Sequence, residues 1–195
     1  GILGQADQTL ELTGDLAWSG NLSSFHNTGT TVLSGTTTGT GGNVSLGAPI
    51  AYAPATGNEN FGEHHVLSLR GNAALPTGNL SITHRAVLEL GNGDFTRPLG
   101  TGPGQVRLET ALGGGWAAHG ADRNVNIGGA GATLVWGQAS PAFLAKSGSV
   151  GSLVLGSYSA THTVVFQNPL NLDNGSPNPT RNSETKNGFA LTDAR

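Results

Sequence analysis

Short apolar-alternating runs that close on glycine recur along this chain, and each calls for a strand with one buried face. Val66-Leu67-Ser68-Leu69 leads to Gly71, Val87-Leu88-Glu89-Leu90 to Gly91, and Ser152-Leu153-Val154-Leu155 to Gly156. A period of two sends alternate side chains to opposite faces, so the apolar set marks the core side. Glycine suits the close of such a run because a corner needs backbone angles that a Cβ resists. The pattern predicts strands at Gln8–Leu12, Thr31–Ser34, Asn43–Leu46, His65–Arg70, Asn79–Thr83 and Ala86–Leu90. It predicts further strands at Gln105–Glu109, Asn124–Ile127, Thr133–Trp136, Ser152–Leu155 and Thr163–Gln167. No segment carries a helical period with caps, so helix content is expected near nil.

The apolar positions of these runs define the expected core. They are Leu10, Leu12, Val32, Val44, Leu46, Val66, Leu69, Ile82, Leu88, Leu90, Val106, Leu108, Val125, Ile127, Leu134, Leu153, Leu155, Val164 and Phe166.

Composition excludes several classes. Charged residues are 11% of the chain, against roughly 25% in ordinary soluble domains. Net charge is −3 and no basic run occurs, so no nucleic-acid partner is expected. There is no cysteine, which removes disulfides and thiolate metal sites. No apolar stretch reaches the ~18 residues of a membrane span. Gly1-Ile2-Leu3-Gly4 does not open a signal peptide, so the export signals of a secreted protein are expected to have been removed or to lie outside this segment. Glycine, at 32 of 195 residues, far exceeds its usual share of about 7%. It follows no triplet period, and Leu, Val and Ile remain frequent enough to build a core.

Two all-β architectures compete for this pattern. A sandwich would use tight hairpins, with Asn92-Gly93, Asn174-Gly175 and Asn187-Gly188 as the turns. A solenoid would use short strands joined by loops of variable length at its corners. Patterning alone leaves the two nearly even. No exact internal repeat is visible; the nearest echo is Leu88-Glu89-Leu90-Gly91 with Leu153-Val154-Leu155-Gly156. The tract from Gly35 to Gly42 reads as a low-complexity loop or thin corner. From Asp173 to Arg195 the apolar content falls and Pro177 and Pro179 appear, which reads as a loop-rich insertion or extension of a single domain over residues 1–195.

The passage from Gly113 to Gly175 resembles the autotransporter-associated β-strand repeat of passenger regions in large secreted bacterial proteins. The residues that carry the resemblance are Gly113-Gly114-Gly115-Trp116-Ala117-Ala118-His119-Gly120, Ala121-Asp122-Arg123-Asn124-Val125-Asn126-Ile127-Gly128-Gly129 and Gln167-Asn168-Pro169-Leu170-Asn171-Leu172. Leu10-Glu11-Leu12-Thr13-Gly14 and Ala86-Val87-Leu88-Glu89-Leu90-Gly91 follow the general pattern. The resemblance implies a right-handed parallel β-helix, a β-solenoid with degenerate coils, displayed outside the cell. The family defines no catalytic residues, so none is carried over. With ~20 residues per coil and ~4.8 Å between strands, the rod is expected to be about 45 Å long.

Chemistry is sparse. Glu63-His64-His65 is the densest set of potential metal ligands, but neighbouring strand residues face opposite ways. His26, His84, His119 and His162 are isolated. Gly128-Gly129-Ala130-Gly131-Ala132-Thr133 begins like a calcium-binding solenoid repeat, with Thr133 where the carboxylate belongs; Asp173-Asn174-Gly175 lacks a second acid nearby. Asp94, Glu109 and Asp122 are the carboxylates from which a glycoside-hydrolysing pair would be drawn. Thr28-Gly29-Thr30 and Thr36-Thr37-Thr38 fit an ice-binding face only locally. Trp18, Trp116 and Trp136 could form a carbohydrate platform, although Trp136 sits in an apolar strand. Asn43, Asn124, Asn126 and Asn168 have the character of stacked corner asparagines, a structural role.

The expectation is therefore a structural or adhesive segment of a bacterial surface or extracellular protein, not an enzyme. No catalytic, cofactor-binding or metal-binding residue is assigned and no cofactor is expected. The expected partners are neighbouring solenoid segments or identical subunits end to end, with surface glycans as a further candidate. Recognition would fall to loops such as Ala53–Glu63 and Asp173–Asn187. Both ends are expected to be uncapped. The alternative function is a carbohydrate-active β-helix enzyme.

Overall fold

A computed structural model describes residues 9–23, 29–47, 65–108, 113–129, 131–139, 142–144, 152–171 and 191–192. Among these, every regular element is a strand, and no helix is long and apolar enough to cross a membrane. The first seven strands are β1 (Thr9–Leu12), β2 (Leu16–Ala17), β3 (Leu22–Ser23), β4 (Gly29–Leu33), β5 (Thr37–Thr38), β6 (Val44–Leu46) and β7 (His65–Leu69). Next come β8 (Leu80–Ile82), β9 (Ala86–Leu90), β10 (Phe95–Arg97), β11 (Val106–Leu108), β12 (Gly113–Ala118), β13 (Arg123–Ile127) and β14 (Leu134–Val135). The series ends with β15 (Gln138–Ala139), β16 (Ala142–Phe143), β17 (Ser152–Leu155), β18 (Val164–Phe166), β19 (Leu170–Asn171) and β20 (Leu191–Thr192).

The strands form parallel sheets. Seven strands pair in the order β1-β4-β7-β9-β12-β17-β20, every pair parallel. A six-stranded sheet runs β15-β16-β11-β8-β6-β3, and β10-β13-β18, β14-β19 and β2-β5 complete the set. Between successive visits to the seven-stranded sheet, the chain passes through strands of the other sheets. The one antiparallel pair among the described strands is β15 with β16, which folds back along an edge of the six-stranded sheet. Asn92-Gly93 makes no hairpin: it is a bend between β9 and β10, which belong to different sheets.

Strand spacing explains why no fixed period shows in the sequence. Thr9 pairs with Thr30 in β4, but Gly29 pairs with His65 and Leu153 with Leu191. The expected ~20 residues per level therefore holds for only some levels. Seven strands about 4.8 Å apart span roughly 29 Å, shorter than the expected rod, because long connections consume the chain.

The main core lies against one face of the seven-stranded sheet. Leu33, Leu67, Leu69, Leu88, Leu90, Trp116 and Leu153 meet Val44, Leu46, Leu80, Ile82, Val106 and Leu108 from the six-stranded sheet. The opposite face is also covered, contrary to the one-faced burial that alternation suggested. Val66, Val87, Ala117 and Val154 form a second buried cluster there, with Ala160 packed against it. Val66 is thus buried as expected but on the other side of the sheet from Leu67 and Leu69.

Five expected core residues, Leu10, Leu12, Leu155, Val164 and Phe166, are only half-buried. The reason is position: β1 and β18 are edge strands of their sheets, and β20 pairs with β17 only at Leu153 and Val154. The strand Gly113–Ala118 lies outside the strands that alternation predicts, because its first three residues are glycines. They are needed where they stand. A Cβ on Gly115 would strike the carbonyl of Val154, and one on Gly114 would strike Ile82 and the backbone of Ala86. The tract from Gly35 to Gly42 is not wholly loop, since β5 pairs with β2 within it. Likewise β20 lies inside the stretch read as a loop-rich extension.

Candidate functional site

Three stretches that looked unrelated in the sequence lie in register on the six-stranded sheet: Gly20-Asn21-Leu22-Ser23, Gly42-Asn43-Val44-Ser45 and Gly78-Asn79-Leu80-Ser81. Gly104-Gln105-Val106-Arg107 occupies the same position on β11. The expectation of no exact repeat is corrected by these tetrapeptides. The glycine is there because a Cβ on Gly42 would strike the carbonyl of Gly20, and one on Gly78 that of Gly42.

The asparagine links the levels. Asn21 Oδ1 accepts the backbone N–H of Asn43 at 3.0 Å, and Asn43 Oδ1 accepts that of Asn79 at 2.9 Å. Asn79, itself buried, donates its amide to the carbonyls of Gly100, Gly102 and Gln105. The device recurs elsewhere with aspartate. Asp15 accepts the N–H of Thr36, Asp94 that of Asn124, and Asp122 that of Thr163. In each case a residue just ahead of a strand satisfies a donor of the next level, which parallel pairing leaves open there.

Beside the asparagine row lies a groove of about 200 Å³, lined by Asn21, Asn43, Ser45, Ser81, Thr101 and Arg107 among others. Ser45, Ser81 and Arg107 are register partners on adjacent strands. The groove is lined mainly by polar side chains.

A second polar cluster sits on the outer face of the seven-stranded sheet. The Glu89 side chain is fully buried there. Its Oε1 accepts Ser68 Oγ at 2.6 Å and the Arg70 guanidinium at 3.3 Å. Its Oε2 accepts Ser157 Oγ at 2.6 Å and Ser159 Oγ at 2.5 Å. His119 Nδ1 lies 3.9 Å from the carboxylate and 3.0 Å from the carbonyl of Ser159. Desolvation pushes the Glu89 pKa up, but the bonds from Ser157, Ser159, Ser68 and Arg70 together hold it below the ordinary carboxylate value. With four donors on two oxygens, this carboxylate ties the segment after β17 onto the sheet. Leu88-Glu89-Leu90 reads in sequence as a strand with a solvated glutamate, and its covering segment is 68 residues away. No local signal marks it.

The described carboxylate candidates are engaged with the next level of strands. Asp94 is exposed and gives both carboxylate oxygens to Asn124, which lowers its pKa; Asp122 is engaged with Thr163, and Glu109 lies outside the described residues. Glu63, His64, His26, Thr28 and Asp173-Asn174-Gly175 also lie outside them, as do Ala53–Glu63 and 173–187. His65 is buried in β7. His84 and Arg85 take left-handed backbone angles (φ 50° and 60°) in the tight turn from β8 to β9. Burial lowers the His84 pKa, against a raising hydrogen bond with Gly47. His162 is exposed beside Thr161. Among the described residues, no three His, Asp or Glu side chains form a group that could hold a metal.

The described residues of the calcium-like Gly128–Thr133 stretch are held by an amide. Asn168 Nδ2 donates to the carbonyls of Ile127, Gly129 and Ala132, and its Oδ1 accepts the Ile127 N–H. Asn126 bonds Gln167 across the same levels. Of the threonines, Thr30 is buried, while Thr37 Oγ1 both donates to and accepts from the backbone of Ala74. Trp116 is fully buried, 5.3 Å from Phe95 and 6.1 Å from Phe166 between ring centroids, and Trp136 packs edge-on to Phe143. Trp18 is half-buried against the core. None of the three is a surface platform. Comparison of the chain with family models, with curated proteins and with solved structures finds no match, and so nothing that identifies the autotransporter-associated repeat.

Proposed function

We propose that this chain is a section of a right-handed parallel β-helix with degenerate coils, serving as a structural or adhesive segment of a bacterial surface or extracellular protein. Parallel sheets visited in turn, with corner residues bonded level to level, support the solenoid reading. One observation carries the role: half-buried apolar residues at the outer levels are register partners of buried ones further in. Leu12 is half-buried while its partner Leu33 is 3% exposed, and Leu22 is half-buried while Val44 is 1% exposed. At the other end Phe166 pairs with the fully buried Val125, and Leu170 with the nearly buried Leu134. Another level laid on either end would finish that burial and pair the strand edges that have no partner among the described residues. The segment is therefore built to continue axially, either into neighbouring solenoid sections or into identical copies end to end. Low charge and absence of cysteine suit an exported surface rod. Electron microscopy of the concentrated chain tests the reading: rods of constant width and variable length are expected, and isolated compact particles would contradict it.

A further inference from the structure

We propose that Asn21 and Asn43 are acceptor sites for N-linked glycosylation in the folded chain, and that Asn79 is not. Modification here needs the pairing register of β3, β6 and β8 and is independent of axial stacking.

The three register-matched tetrapeptides share more than a glycine and an asparagine. Asn21-Leu22-Ser23, Asn43-Val44-Ser45 and Asn79-Leu80-Ser81 each read Asn-x-Ser without an intervening proline, the acceptor pattern of N-glycosylation. A fourth such triplet, Asn174-Gly175-Ser176, lies outside the described residues. Level-to-level bonds account for the asparagines, and close packing accounts for Gly42 and Gly78. Neither accounts for the serine. β11 holds the same register with Gln105 and Arg107 in these two places, so strand pairing does not call for a hydroxyl.

The side-chain nitrogens separate the three sites. Asn21 and Asn43 are exposed, and both line the groove. Each offers its Oδ1 to a backbone N–H one level on, while its Nδ2 has no hydrogen-bond partner among the described residues. The approach is unobstructed, since a Cβ on Gly20 or on Gly41 would meet nothing within 4 Å. Asn79 is 7% exposed, and its Nδ2 donates to the carbonyls of Gly100, Gly102 and Gln105. A sugar there would have to break these bonds from a buried position.

The donor is a sugar activated through a diphosphate, and a glycosyltransferase is the catalyst. Asparagine Nδ2 bonds to the anomeric carbon as the bond from that carbon to the phosphate oxygen breaks. The diphosphate leaves with the electron pair, Nδ2 gives up one proton to a base of the transferase, and nothing is oxidised or reduced. Oδ1 stays a carbonyl oxygen, so the modified side chain still holds the next level. The sugar is bulky and solubilising, and it hydrates one flank of a chain in which only 11% of residues are charged.

Peptide mass spectrometry tests this on the folded full chain after incubation with UDP-glucose and a soluble N-glycosyltransferase that recognises Asn-x-Ser. Hexose is expected on Asn21 and Asn43, and about tenfold less or lower on Asn79, which the fold exposes only on opening. A short synthetic peptide holding Asn79-Leu80-Ser81 should be modified, because there the fold is absent. Ser45→Ala should abolish the hexose on Asn43 and spare that on Asn21, and Ser45→Thr should restore it. The chain purified from the cells that make it should carry sugar at the same two residues. A bare Asn21 or Asn43 in either preparation, a bare Asn79 peptide, or Asn79 modified in the folded chain as fully as Asn43 would each overturn the proposal.

Discussion

Asn43 holds the backbone of Asn79: its side-chain oxygen accepts that residue's N–H at 2.9 Å, although 36 residues separate them. Asn21 holds Asn43 in the same way from 22 residues off. The contact sets the register of β6 on β8 at the point where the chain enters the strand. Asn43→Ala should cost about 1 kcal/mol in urea unfolding, because a part-buried N–H loses its acceptor. Asn43→Asp keeps the oxygen and should fall within about 0.5 kcal/mol of the parent. Equal losses for the two variants would show that the bond contributes nothing.

Asn79→Ala should be the more damaging change. Its amide serves three carbonyls, those of Gly100, Gly102 and Gln105, from a buried position. A loss of about 2 kcal/mol or more is expected, with the segment 98–105 exchanging its amide hydrogens faster. Unchanged exchange there would separate Asn79 from the order of that segment.

Core truncations should follow the burial gradient. Leu88 is fully buried in the middle of the seven-stranded sheet, and Leu88→Ala is expected to cost about 2–5 kcal/mol. Leu12→Ala, on the edge strand β1, removes a half-buried side chain and should cost about 1 kcal/mol. Similar losses at both sites would mean that β1 is covered as fully as β9.

The Glu89 cluster predicts a pH dependence of definite sign. Its folded-state pKa is below the ordinary value, because four hydrogen bonds outweigh desolvation. Ionised Glu89 therefore stabilises the fold above about pH 4.3, and that contribution is lost as pH falls through the lowered folded value. Glu89→Gln should lower the melting temperature at neutral pH. The gap to the parent should close as the pH falls below about 4.3 and through the lowered folded value. A gap that stays constant across this range would show that the carboxylate charge plays no part.

Legibility in the sequence tracked strand length and local alternation. Ala86–Leu90 and Ser152–Leu155 have the bounds that the sequence predicts, since each has four or more residues of clear pattern. Two-residue strands such as β2, β5 and β19 hold too little sequence to show a period. Gly113–Gly115 looks like a break and is a strand because close neighbours exclude a Cβ. Asn43, Asn124 and Asn168 were read as corner asparagines, and all three bond across levels. Asn21 and Asn79 play the same part without standing out in the sequence, although Gly-Asn-(Leu/Val)-Ser recurs at all three sites. Unequal separations hide the repeat, because connections of different length leave no constant interval between its copies. Glu89 was illegible for a different reason: what buries it comes from a distant segment.

The central claim, that the β1–β3 end accepts a further level, has a direct test at Gly20. A Cβ on Gly42 would strike the carbonyl of Gly20, one level towards that end, whereas a Cβ on Gly20 meets nothing within 4 Å among the described residues. Gly20→Ala should therefore leave the stability of the single chain within about 0.5 kcal/mol of the parent. It should nevertheless block stacking on that end, where the added Cβ would meet the incoming backbone. Sedimentation velocity over a concentration series reads both chains. The parent should grow in mass with concentration and Gly20→Ala should remain at the mass of one chain. A parent that stays monomeric throughout, or a variant that associates as strongly as the parent, would contradict the account.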